Sequence, residues 1–164
     1  MKKVIFVALI LVVLSSFSAY ALGTALLDIR NKIFSESKEM RPLLGTSKDG
    51  VLISTMWDSC LIAITQLDAY FFMLGIFNTI DENNLTVEVA DYLINWLGEI
   101  KRANDLNIKS LKSVSSTIDP ATEVRIKKLT GYFYQVNFYV DADLKRISTL
   151  KESLKRVGAV AKRR

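Results

Sequence analysis

Asn104, Asn107 and Asp143 are the strongly polar residues that fall on otherwise apolar helical series, and they form the candidate polar core. A carboxylate in an apolar seam has its pKa raised, a weak pointer to acid–base chemistry. Asp143 has only Lys145 and Arg146 as local cations, and counting along the helices places it level with Leu93 and Phe72. With no second catalytic group beside it, a structural or solvated role is expected. For the two asparagines two readings stay open. A buried Asn fixes register at a cost in stability, or the helix rotates and leaves both in solvent.

The remaining chemistry is bounded by what the chain lacks. It contains no histidine. That removes Ser-His-Asp and Cys-His catalysis, the usual zinc sites, His-ligated haem and the Glu-x-x-His di-iron bundle. One cysteine, Cys60, sits before Leu61, Ile62, Ala63 and Ile64, with no basic neighbour to lower its pKa. A small buried hydrophobe is expected, an intermolecular disulfide being the functional alternative. No cofactor and no metal site is expected, and the chain reads as non-enzymatic.

The N-terminus carries an address. Lys2 and Lys3 precede the apolar run from Val4 to Leu14, and Ala19-Tyr20-Ala21 supplies the small-x-small pattern of a cleavage site. A signal peptide over 1–21, cut after Ala21, is expected ahead of a single domain over 22–164. The rival is an uncleaved anchor. The apolar core is about 11 residues where a membrane span needs about 20. Periplasmic or extracellular localisation is therefore expected.

Four helices must position the seam residues. The first spans about Thr24 to Met40, with Leu26, Ile29, Ile33 and Met40 on one stripe widened by Leu27 and Phe34. Arg41-Pro42 ends it. The second spans about Asp49 to Ile80. Ile53, Cys60, Leu67 and Leu74 repeat every seven residues, and so do Met56, Ala63, Tyr70 and Phe77. Asp58, Thr65 and Asp68 are polar on its other face, while Leu61, Ile62, Phe72 and Ile76 are not, so burial on more than one side is expected. Residues 60–77 also admit a membrane span, against which stand the cost of a central Asp68, about 2.5–3.5 kcal/mol, and the seam's continuation beyond the run.

Thr86 is the expected cap of the third helix, which reaches about Ser115. Asn84-Leu85-Thr86 matches a glycosylation sequon. Asp119-Pro120 starts the fourth helix, which runs to Val157 or beyond. Ile126, Phe133, Val140, Ile147 and Leu154 form its first series, and Leu129, Val136, Leu150 and Val157 its second. Short turns make antiparallel neighbours. The expected fold is therefore all-α, an up-down-up-down antiparallel four-helix bundle with one long basic C-terminal helix.

Two surfaces suggest partners. Leu61, Ile62, Phe72 and Ile76 form a possible interface, unless the first helix and the Leu43-Leu44 loop cover them. Residues 145–164 hold eight basic residues and one acid, a net charge of +7 within a mature chain of only +3. Lys151, Lys155, Arg156, Lys162, Arg163 and Arg164 could meet an anionic envelope component, or form an ordinary solvated face. Nucleic acid is not expected. The leading reading is a binding or structural module of the cell envelope, acting on a protein partner or a second copy through helix surfaces. A carrier of a small apolar ligand, lined by Phe71, Phe72, Phe77, Trp96 and Phe133, is one alternative. A membrane-active or toxin-like protein is another.

Overall fold

A computed structural model describes residues 24–79, 86–113 and 119–161, with side-chain packing for 24–73, 86–113 and 119–156. The signal segment with Ala19 and Ala21, Asn84 and Leu85 of the sequon, the side chains of Leu74, Ile76 and Phe77, and Lys162 to Arg164 lie outside these residues. The described residues are all helical, with no strand among them.

Helix α1 covers 24–40 and closes in a short 3-10 turn, Arg41–Leu43, with Pro42 inside it. Gly45 lies in the following turn at φ 76°, a left-handed conformation that glycine adopts without a Cβ clash. Helix α2 is Gly50–Thr79, 30 residues or about 45 Å. Helix α3 is Val87–Lys112, and the Thr86 hydroxyl accepts from the Val89 amide at 3.3 Å as its cap. Helix α4 is Pro120–Ala161, 42 residues. The Asp119 carboxylate accepts from the amides of Ala121 and Thr122, and Pro120 fills the first helical position, where no backbone donor is needed.

Polar contacts define how the helices lie together. Asp91 pairs with Lys151, Lys101 with Asp141 at 2.5 Å, Asn137 donates to Asp105 at 2.7 Å, and Lys112 donates to the Tyr134 hydroxyl at 2.6 Å. Residue numbers rise along α3 as they fall along α4. Between α2 and α4 they rise together, from the Asp119 amide on Asp49 at 3.1 Å to the Tyr70 hydroxyl on Asp143. Helix α1 meets α2 through Arg30 and Asp68, and meets α4 through Glu36 with Arg125 and Lys128.

The seams build the core. Ile53, Met56, Cys60, Ala63, Leu67 and Tyr70 of α2 are buried. So are Leu93, Leu97 and Ile100 of α3, and Leu129, Phe133, Val136, Val140 and Ile147 of α4. Each large apolar side chain so buried contributes about 1.5–3 kcal/mol before entropy is counted. Two expectations are corrected. Leu27 and Phe34 do not widen the buried stripe of α1 but stay exposed. Phe34 is flanked instead by the cations of Arg30, 5.2 Å from the ring centre, and Lys38, 4.4 Å from it, which favour its electron-rich faces. On α2, burial is one-sided, because Leu61, Ile62 and Phe72 face out.

Candidate functional site

Asp143 is buried, so its carboxylate needs internal partners. It has two. The Tyr70 hydroxyl donates to Oδ2, and Arg146 Nε donates to Oδ1 at 3.1 Å. One turn of α4 brings Arg146 to Asp143, whereas Tyr70 arrives from α2. The local cation was foreseeable and Tyr70 lies within a turn of the level expected for Asp143. Its role was not read from the sequence, although a tyrosine on a buried seam always has a hydroxyl to satisfy. Burial, then the neighbouring carboxylate charge, pushes the Tyr70 hydroxyl well above its ordinary pKa, so it stays a donor.

A second buried carboxylate, Glu36, lies between α1 and α4. Arg125 Nη1 reaches its Oε2 at 3.3 Å, and Lys128 pairs with Oε1. Arg125 also reaches the exposed Glu39 at 3.2 Å. The contact with Glu36 raises the Lys128 pKa. The signal for Glu36 was a gap: it occupies the stripe position between Ile33 and Met40 where an apolar residue would continue the series. Cys60 is buried, and desolvation followed by the charge of Glu36 pushes its thiol up to about 12. Such a thiol is unreactive at neutral pH, as the hydrophobic reading of Cys60 required.

Asn104 is fully buried, and neither its amide nitrogen nor its oxygen has a hydrogen-bond partner. Asn107 is half-buried, with its amide nitrogen unpartnered. Rotation of both into solvent is therefore ruled out for Asn104. The three candidate polar-core residues are not joined by any hydrogen bond: Asp143 belongs to the α2–α4 contact, while Asn104 is buried on α3 without a protein partner. Among the described residues no group of three or more Cys, Asp or Glu is placed to hold a metal ion.

The outer surfaces differ in what they offer. On α2, Phe72 is 69% exposed, Ile62 47% and Leu61 37%, uncovered by α1 or by Leu43 and Leu44, which pack half-buried on the core. The Arg30–Asp68 pair, with N–O distances of 2.6 and 2.8 Å, borders this face. Phe72 therefore does not line the interior as the apolar-ligand reading required, whereas Phe133 is fully buried and Phe71 and Trp96 are half-buried. The Gly50–Met73 portion of α2 is long and apolar enough to cross a membrane, a test that the core helix of a soluble protein also passes. At the basic end of α4, Lys151 is engaged by Asp91 and Lys155 by Glu152 at 2.8 Å. Arg156 makes no ion pair with a described residue.

Comparison with protein-family models, curated proteins and solved structures found no match for this chain.

Proposed function

We propose that the chain is an exported, non-enzymatic up-down-up-down antiparallel four-helix bundle with a basic C-terminal end, a binding or structural module of the cell envelope that works through its helix surfaces. The observation that carries this reading is the outward apolar face of α2, Leu61, Ile62 and Phe72. Isolated exposed apolar residues are ordinary, but α2 presents four, Val51 included, more than any other described helix, and this favours a partner there. The opposed numbering of the α3–α4 contacts and the matched numbering of the α2–α4 contacts support the bundle topology. The carboxylates of Asp143 and Glu36 are buried and already paired, which supports structural rather than catalytic work for both. A protein partner or a second copy is the expected occupant of the α2 face. The cationic end of α4 suits an anionic envelope component, with Lys145 and Arg156 the described cations there that form no ion pair with a described residue.

The test is cross-linking of the full chain expressed with its own leader, read beside the mass of the exported product and light scattering of the purified protein. The expected product starts at Leu22 and forms a cross-linked species that the double substitution Ile62→Ser, Phe72→Ser abolishes. A chain retained in the cytoplasm, or one that is monomeric and forms no cross-linked species, overturns the proposal.

A further inference from the structure

Helix α2 carries two acids, Asp58 and Asp68, and no basic residue over its length. Both acids belong to its outward side. Asp58 lies three and four residues before Leu61 and Ile62, and Asp68 lies four before Phe72, spacings that make neighbours on a helix surface. Asp58 is exposed and forms no ion pair with a described residue, while Asp68 keeps 48% side-chain exposure beside Arg30. The outward side of α2 is thus apolar and anionic. The last nine residues of the chain, from Arg156 to Arg164, are of the opposite kind. They hold four cations, Arg156, Lys162, Arg163 and Arg164, together with Val157 and Val160, and no acid.

Contacts along the helices show where this end lies. Lys151 pairs with Asp91, four residues after α3 begins at Val87, and Asp143 meets Tyr70, nine residues before α2 ends at Thr79. The described parts of α2 and α3 therefore stop at about the level of residues 152 to 155 of α4, and α4 runs on to Ala161. The α2 face of the same chain is out of its reach. Ala161 lies 18 residues beyond Asp143, about 27 Å along the shared direction of α2 and α4, and Asp58 lies 12 residues before Tyr70, about 18 Å the other way. The three residues after Ala161 span at most about 10 Å. A second copy has no such restriction. We propose that the basic end of one copy docks on the outward side of α2 in the next. Arg156 and the terminal cations face Asp58 and Asp68, and the two valines meet Leu61, Ile62 and Phe72. The contact joins two different surfaces, so a pair of copies still offers one of each, and association continues past the dimer into a ring or an open chain. The inference rests on the role proposed above for the α2 face and names what occupies it.

The experiment is sedimentation velocity on the protein purified after expression of the full chain with its own leader, with two variants. One carries Asp58→Lys and Phe72→Ser, which spoil the face and keep the basic end. The other stops at Lys155 and keeps the face. Both changes lie at exposed or terminal positions, and circular dichroism should show the parent's helix content in each. The intact chain should form species beyond a dimer as concentration rises, and molar salt, which shortens the screening length from about 10 Å to about 3 Å, should weaken association about tenfold. Each variant alone should be monomeric. Mixed in equal amounts they should form a dimer and nothing larger, because one supplies the only intact face and the other the only basic end. A shortened chain that still associates while the face variant does not leaves the α2 face a partner surface but overturns the basic end as its occupant. A face variant that associates like the intact chain overturns both readings. An intact chain that stays monomeric, yet floats with phosphatidylglycerol vesicles only when residues 156–164 are present, assigns the basic end to lipid and overturns the inference.

Discussion

The Tyr70 hydroxyl of α2 donates to the Asp143 carboxylate of α4, and this contact is buried at both ends. Arg146 completes the neutralisation from one turn along α4. The bond joins two helices that are not consecutive in the chain, so it ties the interior together where no hairpin turn does. Its worth lies mainly in the penalty for breaking it, because a buried carboxylate deprived of a donor costs more than the bond itself contributes.

Tyr70→Phe should lower unfolding stability by about 1–3 kcal/mol, measured by urea titration, with an unchanged m-value. Asp143→Asn should also destabilise. The double variant should lose less than the two single losses combined, because both changes remove one interaction. Additive losses would separate the two residues energetically and discard the contact.

Glu36→Gln should cost about 1–3 kcal/mol. The larger loss typical of a broken buried pair, about 3–5 kcal/mol, is not expected, because Arg125 and Lys128 keep access to water at 24% and 49% side-chain exposure. Glu39→Gln, on the exposed partner of Arg125, should change stability by no more than about 0.5 kcal/mol. Equal effects from the two substitutions would remove Glu36 from its supporting role.

Alkaline pH should weaken the fold by a known route. Cys60 ionises near 9 when unfolded and near 12 when folded. A raised folded pKa leaves stability intact below pH 9, and stability then falls as pH rises, because the unfolded chain releases a proton that the folded chain retains. The slope for one such group is about 1.4 kcal/mol per pH unit between 9 and 12. Tyr70 adds a second proton above about 10, in the same direction. Chemical denaturation across this range should give a slope reduced by one proton in Cys60→Ala. An unchanged slope would show that Cys60 does not contribute.

Helix boundaries were legible in the sequence wherever the signal was local. Thr86 and Asp119-Pro120 start α3 and α4 because their side chains or ring satisfy the backbone of the next turn, an interaction that needs no other helix. Arg41-Pro42 ends α1 for a similar steric reason. The seams were legible too: Ile53, Cys60, Leu67 and Met56, Ala63, Tyr70 repeat at heptad spacing, and all are buried. A period of seven places residues on one side of a helix whatever lies opposite.

The tertiary structure alone decided which of two apolar sides is covered and which polar residues meet. Leu27, Phe34, Leu61, Ile62 and Phe72 are as apolar as their buried neighbours, yet stay exposed because none of the described helices lies over them. Sequence records hydrophobicity, whereas burial is a property of the pair of surfaces. Tyr70 with Asp143, and Glu36 with Lys128 across ninety-odd positions of chain, are likewise products of relative helix placement. The chain by itself determined four helical segments, their ends and a continuous apolar seam, because those depend on neighbours within about a turn. The partners of its buried charges depend on contacts between distant segments, and those exist only once the helices have packed.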